Sequence, residues 1–311
     1  MSTLNHIQRW FDSETPVTPG SDPYAFNWIR CVPFIAMHLA CLMVLFTGVS
    51  TFALLFCLGF FWVRMFAITA FYHRYFSHRS FKTNRAWQFV FAVLGNMSAQ
   101  RGPLWWAAHH RHHHQFSDQE NDLHSPLQRG FWWSHIGWFT CDASFNTARN
   151  RIGDFYKYPE LRFINRFDML VPAITGLAIF MLGQALALYA PHLGVDGYQL
   201  FAWGFIVSTV LLFHSTVTIN SLAHCWGSRR FATRDNSRNN WFLALLTLGE
   251  GWHNNHHRYP RSAKQGFFWW EIDITYYVLR GMAWLGIIHS LSPVPEKIYE
   301  ECRTGRSTEM V

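Results

Sequence analysis

Three long stretches of the chain contain no Asp, Glu, Lys or Arg, and this feature limits the possible folds more than any other. They cover residues 31–63, 169–195 and 197–228. About 20 uncharged apolar residues are enough for a helix to cross a bilayer. The first stretch, extended to residue 73, has room for two such helices, and each of the others has room for one. The sequence therefore predicts four membrane spans, over about residues 30–48, 50–72, 169–190 and 198–219.

The composition agrees with a membrane protein. Half of the 311 residues are hydrophobic and only 14% are charged, against roughly 25% in ordinary globular domains. The six cysteines are scattered and form no CxxC pair, which argues against a disulfide framework or a zinc ribbon. No internal repeat or appended domain is visible.

The basic residues predict the orientation of the spans. Of the 26 Lys and Arg residues, 12 lie in residues 73–168 and 11 lie after residue 223, whereas the two short loops on the other side carry none. Because basic residues collect in cytoplasmic loops, both termini and the central segment are expected in the cytoplasm. The net charge of +7 is thus explained by topology and by attraction to anionic lipid rather than by nucleic-acid binding.

These patterns predict one domain between two flanking segments. Residues 1–29 lack a signal-peptide pattern and are expected to form an irregular cytoplasmic arm. Residues 30–290 form the domain, with a cytoplasmic cap built from 73–168 and 220–290. Residues 291–311 are expected to be a loosely ordered tail.

The chain has 18 histidines, and 11 of them fall into four groups on the predicted cytoplasmic side. The groups are "HRYFSH" (His73, His78), "HHRHHH" (His109, His110, His112, His113, His114), "NSLAH" (His224) and "HNNHH" (His253, His256, His257).

Helical spacing indicates which members of a group share a face. Residues at i, i+3 and i+4 do so, and His110, His113 and His114 fit this rule, but so do His109, His112 and His113. His73 and His78 are five residues apart, so the pair should lie at a helix end or a turn.

Neutral imidazole is the commonest metal ligand. One cluster alone fits a pH-sensitive or adventitiously metal-binding loop equally well, but four clusters on one side favour a metal site. One ligand set from each group, with three histidines from the central box, gives nine histidines. A single zinc takes about four ligands, so nine suit two ions. Imidazole binds several metals and does not identify which one.

The boxes together identify a resemblance. "HRYFSH", "HRHHH" and "HNNHH" are similar to the HxxxxH, HxxHH and HxxHH boxes of the integral-membrane fatty acyl desaturases. "NSLAH" resembles an additional element of the Δ9, stearoyl-CoA type branch. The resemblance covers about Arg64 to Ile288. It implies an all-α membrane fold with four transmembrane helices and a cytoplasmic helical cap holding a di-iron site.

The resemblance also implies site residues. The two irons, ferrous at rest, would be held by nine histidines, and Asn220 would hold a water on one of them. The family pattern W-x-x-x-H-R-x-H-H aligns with Trp106 and His110, which leaves His109 and His112 outside the ligand set. The implied ligands are His73, His78, His110, His113, His114, His224, His253, His256 and His257.

The implied reaction uses O₂ and two electrons to place a cis double bond, at Δ9, in a saturated acyl chain. Trp106, Cys57 and Phe61 are candidate residues of the acyl tunnel. Core packing is the alternative for Trp106, and generic helix packing is the favoured interpretation of Cys57 or Phe61 taken alone. Acids near the boxes could orient the imidazoles. The candidates are Asp118, Glu120, Asp122, Glu250 and Asp273, with a solvated or helix-capping role favoured for Asp118 and Glu120.

Acyl-CoA is the favoured substrate, although basic residues that hold CoA in animal members are replaced here by Ala108-His109 and, after Trp138, by Phe-Thr-Cys-Asp. Other arginines (Arg101, Arg151, Arg229, Arg230) could take over that role. An acyl-lipid or acyl-carrier protein is the alternative. The central box looks bacterial, which implies an inner-membrane location. No fused electron donor is visible, so a separate ferredoxin or cytochrome b5-like protein with its reductase is expected.

Two other functions fit parts of the pattern. A related di-iron lipid hydroxylase would use the same boxes. A divalent-metal transporter would keep ionisable groups inside its spans, whereas the spans here hold little more than His38, His214 and Arg64.

Overall fold

The computed structural model describes residues 7–15, 17 and 22–304, and over these residues its regular elements are all helices, with four isolated β-bridges and no strand. The helices are α1 (Trp28–Thr47), α2 (Thr51–Ser77), α3 (Arg85–Asn96), α4 (Pro103–Phe116), α5 (Pro126–Arg129), α6 (Phe131–His135), α7 (Gly153–Tyr156), α8 (Pro159–Arg166), α9 (Leu170–Tyr189), α10 (Gly197–His224), α11 (Trp241–Leu246), α12 (His253–Arg258), α13 (Ile274–Trp284) and α14 (Glu296–Thr304).

Four of these helices are long and apolar enough to cross a membrane. They are α1, α2, α9 and α10, with 20, 27, 20 and 28 residues. The predicted all-α fold with four spans is therefore confirmed. Each helix begins within two residues of the predicted start, but α2 and α10 continue five residues beyond their predicted ends, at 72 and 219. These extensions carry His73 and His224.

The span surfaces are apolar and exposed, as lipid-facing surfaces are. Only 6% of the most hydrophobic window of α1 is buried within the protein, and Leu45 and Phe46 are 73% and 88% exposed. Soluble proteins rarely expose an apolar surface of this extent, so the surrounding bilayer is the environment that stabilises it.

The chain divides into two compact units, which we describe separately. The first comprises the described residues of Met1–Ala67 together with Ala92–Trp106 and Phe139–His214. Its core includes Ala53 on α2, Ile179 on α9 and Phe205 on α10. The turn before α2 is fixed by Ser50, whose hydroxyl caps the helix by accepting from the N–H of Ala53 (3.1 Å).

Glycine allows the two last spans to approach closely. A Cβ on Gly183 of α9 would lie 2.5 Å from the carbonyl oxygen of Asp196 and 2.7 Å from the Cα of Gly197. Small residues at such crossings are typical of membrane helices, where close backbone packing replaces the hydrophobic effect.

Arg64 is a charge within a predicted span, and two hydroxyl groups of the first unit accept hydrogen bonds from it. Its guanidinium donates to the hydroxyls of Ser208 and Thr209, the latter at 2.7 Å. It also stacks 4.2 Å from the ring centroid of Phe60. Arg64 thus pairs helix α2 with α10, as intramembrane charges usually pair with polar groups inside a bundle.

The second unit comprises Ile68–Phe91, Ala107–Trp138 and the described residues of Ser215–Val311. One of its small cores consists of Phe231, Phe267 and Ile298. Ile298 lies on α14, so the expectation of a loosely ordered tail is wrong for residues 296–304: this segment is a helix anchored by a fully buried side chain. Residues 291–295 of the predicted tail form no regular element, and residues 305–311 lie outside the described residues.

Candidate metal centre

The first two histidines lie where α2 ends. Its last 11 residues, Ala67–Ser77, are π-helical, a geometry with i→i+5 hydrogen bonds that is frequent at functional sites. The N–H of His78 donates to the carbonyl of His73 (3.2 Å), and the two ring centroids are 4.8 Å apart. The prediction that this pair spans a helix end is confirmed, because His73 is inside α2 and His78 directly follows it.

Arg111 completes this helix end. Its guanidinium donates to the carbonyls of Phe76 (2.7 Å) and Ser77 (2.9 Å). The last carbonyls of a helix have no partner within the helix, so the arginine of the central box satisfies the end of α2 and joins α4 to it.

Helix α4 presents three of its histidines to the same region and directs the other two elsewhere. The ring of buried His109 packs against Trp138, with centroids 5.8 Å apart. Nε2 of His112 lies 2.8 Å from the carbonyl oxygen of Asn121. His110, His113 and His114 belong to the two groups described next, whereas His109 and His112 belong to neither.

The short helix α12 carries the last box, and its two asparagines fix its position. The side-chain oxygen of Asn254 accepts from the N–H groups of Arg230 (2.8 Å) and Phe231 (2.7 Å). Both Asn254 and Asn255 are fully buried and hydrogen-bonded at both ends of the amide. These bonds fix the position of α12 and its histidines within the second unit.

The nine histidines form two groups, within each of which the ligand atoms lie less than 4.8 Å from one another. The five-histidine group consists of His73, His78, His110, His114 and His256. The four-histidine group consists of His113, His224, His253 and His257. Both groups belong to the second unit.

In the five-histidine group the Nε2 atoms approach one another in a continuous series. The Nε2 separations are 3.1 Å for His73–His256, 2.9 Å for His256–His114, 3.0 Å for His114–His110 and 2.7 Å for His110–His78. In the four-histidine group Nε2 of His224 and His253 are 3.1 Å apart.

This packing of nitrogens fits a cation. Burial, and after it the cost of placing a second positive charge beside a neighbouring imidazole, lowers the pKa of His78, His110, His114 and His256 well below the usual value. These rings are therefore neutral, and a neutral ring has one donor and one acceptor nitrogen. Because the crowded nitrogens cannot all pair by hydrogen bonds, several lone pairs face a common centre. Nε2 of His257 is likewise buried without a partner. Four or five imidazole donors suit iron, zinc or copper.

Carboxylates hold the opposite nitrogen of four rings. Nδ1 donates to a carboxylate oxygen in each pair, and the pairs are His73–Glu250, His113–Asp122 (2.9 Å), His224–Asp118 (2.9 Å) and His257–Asp235 (2.6 Å). Such a bond fixes the tautomer with Nε2 free and raises its basicity as a ligand.

The acids themselves are kept ionised. Burial alone would raise the pKa of Asp118, but the hydrogen bond and charge of His224 outweigh it and lower the pKa to about 2. Burial would also raise the pKa of Asp122 and Asp235. The charges of His113 and His257, respectively, outweigh burial and hold each pKa well below the usual range. The pKa of His113 is in turn raised, because Asp122 outweighs its burial.

The acids near the boxes behave differently from one another. Asp122 and Glu250 contact imidazoles as the sequence suggested, but the capping role favoured for Asp118 is wrong, since it bonds to His224. Asp273 pairs with Arg74 (2.9 Å) and caps α13. Glu120 is exposed.

Two titratable side chains near the centre were not predicted from the sequence. Asp235 lies 18 residues before His253 and belongs to no box. His124 stacks on His113 with centroids 4.3 Å apart, and burial and the charge of His113 lower its pKa to about 3. Only the clustering of Asp122 and His124 close behind the central box could have drawn attention to the latter.

The other predicted site residues keep their proposed roles as predictions. Asn220 lies on α10 three residues after Val217, and its carbonyl accepts from Ser134 (3.0 Å). Cys57 and Phe61 are buried in the first unit, and Trp106 is partly buried there.

Comparison with known proteins gives one family model, fatty acid desaturase, which matches residues 33–284. The chain is 40% identical over 224 residues to the icosanoyl-CoA 5-desaturase of Limnanthes douglasii, covering 71% of this chain and 59% of that protein. It is 39% identical over 227 residues to the chloroplastic palmitoyl-monogalactosyldiacylglycerol delta-7 desaturase of Arabidopsis thaliana, covering 72% and 57%. Thus it spans less than two thirds of the length of these two relatives.

A third relative covers more of its own length. The sn-2 palmitoyl-lipid 9-desaturase of Nostoc sp. (strain 36) is 34% identical over 282 residues, which are 89% of this chain and 93% of that protein. The family match itself runs from within α1 to the end of α13 and includes every histidine of both groups. The chain therefore belongs to the fatty acid desaturase family.

Proposed function

We propose that the protein is an O₂-dependent fatty acyl desaturase that introduces a cis double bond into a saturated acyl chain. The observation that carries the proposal is the convergence of nine histidines into groups of five and four in a protein with four apolar spans. Membership of the desaturase family supports it.

Two iron ions are the proposed cofactors, one for each histidine group, and Asn220 would hold a water on one of them. When bound, the irons supply the oxidising power, with O₂ and two electrons, that an unactivated methylene requires. The chain's own residues orient this centre: the four carboxylates hold the Nδ1 protons, and the burial of five of the nine histidines limits the access of bulk water.

For the substrate we propose an acyl-CoA desaturated at Δ9, with the acyl tail directed past Trp106 and towards Cys57 and Phe61. The relatives include proteins named for acyl-CoA and for acyl-lipid substrates and for positions 5, 7 and 9, so an acyl-lipid is the alternative.

The phosphates of CoA require basic residues to bind them, and three of the candidate arginines already form ion pairs or hydrogen bonds within the protein. Arg101 pairs with Asp168 (2.9 Å), Arg230 pairs with Glu271, and Arg229 donates to the carbonyls of Thr233 and Asp235. The phosphate contacts would thus fall to other basic residues, or to these after rearrangement.

We further propose that the histidine groups face the cytoplasm of a bacterium, with the spans in its inner membrane. A separate ferredoxin or cytochrome b5-like protein and its reductase would deliver the electrons. A basic cytoplasmic surface would attract an acidic carrier, and 23 of the 26 Lys and Arg residues lie in the two predicted cytoplasmic segments that follow α2 and α10 or at the end of α2.

Expression in a heterologous host followed by fatty-acid profiling with double-bond location tests the reaction. A new Δ9 monounsaturated acid, absent with a His256→Ala variant, is the expected result. A hydroxylated acid would instead support the related hydroxylase, and a double bond elsewhere would correct the position. Head-group separation before analysis shows whether the new acid first appears in acyl-CoA or in lipid.

A further inference from the structure

The two histidine groups differ in the carboxylates that hold them. In the four-histidine group, three of four imidazoles donate through Nδ1 to an aspartate: His113 to Asp122, His224 to Asp118, and His257 to Asp235. In the five-histidine group, the corresponding pair is His73 with Glu250.

The charges behind these pairs also differ. Glu250 shares its charge with Arg74, whose guanidinium lies 2.9 Å from Oε1 of Glu250 and 2.9 Å from Asp273. The three aspartates instead accept from neutral backbone N–H groups. Asp118 accepts from Asn236 (2.8 Å), Asp122 from Asp118 (2.9 Å) and Asp235 from Ser237 (3.0 Å).

These bonds also cross-link the two segments that supply the aspartates. The N–H of Asn236, next to Asp235, bonds to Asp118, and Asp118 in turn bonds through its own N–H to Asp122. The three carboxylates therefore form one connected support behind the four-histidine group, and most of its ligand rings are oriented before an ion binds.

From this asymmetry we propose that the four-histidine group is the tighter of the two metal sites and fills first. The inference rests on the proposed function, which places one ion in each group. The extra imidazole of the five-histidine group acts in the opposite direction, but it is a neutral donor. The aspartates add negative charge and fix the tautomer that leaves Nε2 free to bind.

The size of the effect follows from the number of carboxylates. Removing one such outer partner typically weakens metal binding about 10–100-fold. Since the four-histidine group has two more of them, its affinity for a divalent cation should exceed that of the five-histidine group by about 100-fold or more.

The test is a metal titration of the full-length protein in detergent after removal of its metal. Co²⁺, buffered by a chelator over a wide range of free concentration, reports binding by its visible absorption and by elemental analysis. Two separate steps are expected. His253→Ala should abolish the tighter step and His78→Ala the weaker one.

The carboxylates are then tested as positioning residues. Asp235→Asn and, independently, Asp118→Asn should weaken the tighter step by about tenfold or more and leave the weaker step unchanged. Glu250→Gln should weaken only the weaker step. Glu120→Gln is the matched control, because this acid is close in sequence but exposed, and it should change neither. A general loss of structure would not produce this division between steps.

Two steps of equal affinity, or a tighter step that responds to Glu250→Gln and not to Asp235→Asn and Asp118→Asn, would overturn this inference while leaving the two-metal proposal intact. Binding of only one Co²⁺ per chain would overturn both. Thermal unfolding of each metal-free variant identifies any that fail to fold, and the two aspartate variants provide independent measurements of the same step.

Discussion

At the scale of the residue, the two nitrogens of each imidazole do different work. In His113, His224 and His257, Nδ1 is held by an aspartate, and this leaves Nε2 to face the other rings of the group. Nε2 is the atom that a metal would contact, while Nδ1 sets the ring's tautomer and orientation.

The sequence predicted the ligands and their carboxylate partners only in part. The i, i+3 and i+4 spacing identifies histidines that share a helix face, but it did not exclude His109 and His112, and the resemblance was needed to imply the nine ligands. The sequence could not identify Asp235. Its contact with His257 depends on the fold of the segment between α10 and α11, which is fixed in part by the hydrogen bond from the N–H of Asn236 to Asp118.

The register within the central box makes a first prediction. His110→Ala should abolish desaturation and reduce bound metal, because it removes a member of the five-histidine group. His109→Ala should keep much of the activity, because His109 packs on Trp138. Product yield and metal content of both variants, at matched expression, measure the difference. Equal losses would show that the register is wrong.

A second prediction concerns the buried guanidinium of Arg74. Arg74→Met leaves the carboxylates of Glu250 and Asp273 buried without their cation. Removing one partner of a buried ion pair costs about 3–5 kcal/mol, so denaturant unfolding of the metal-free protein should show a loss of that size. The control is Arg280→Met, at an exposed position, with a change of about 0.5 kcal/mol or less. Similar stability of both variants would contradict the role given to Arg74.

At the scale of the element, helix starts were easier to predict than helix ends. Each span begins within two residues of its predicted start. The apolar stretches of α9 and α10 directly follow Asp168 and Asp196, and the residues "TGVST" mark the turn before α2. α2 and α10 outlast their apolar sequence by five residues. At the end of α2 this is because contacts specific to the fold, such as the bonds from Arg111 to Phe76 and Ser77, satisfy its last carbonyls.

Helix packing gives a third prediction. Gly183→Ala places a Cβ 2.5 Å from the Asp196 carbonyl, and such overpacking typically costs about 1–3 kcal/mol. Gly59→Ala on α2 is the matched control: nothing lies within 4 Å of its Cβ, and alanine favours a helix over glycine by about 1 kcal/mol. Thermal unfolding in detergent should therefore move down for Gly183→Ala and stay level or rise for Gly59→Ala. A Gly183→Ala protein as stable as the parent would show that α9 and α10 are not packed this closely.

At the scale of the whole molecule, the charge-free stretches predicted the four spans, and the resemblance implied the class of fold and the nine histidines. Sequence could not reveal α14, because its contacts are with distant segments: Ile298 packs on Phe231 and Phe267, and Glu301 pairs with Arg258. The asymmetry of carboxylates between the two histidine groups likewise appears only when the loops are folded.

Topology provides a fourth prediction. Cys225 is exposed and directly follows α10, on the side predicted to be cytoplasmic. A membrane-impermeant thiol reagent should label it in inverted membrane vesicles and not in intact spheroplasts, and Cys225→Ser should remove that label. Labelling from the outside would reverse the proposed orientation.

The central claim is that the two histidine groups each hold an iron ion. Elemental analysis of the protein purified from an iron-supplied host tests it most directly. About two irons per chain, one for each group, and a loss of iron in the His110→Ala and His253→Ala variants are the predicted results. One zinc and no iron per chain would contradict the account.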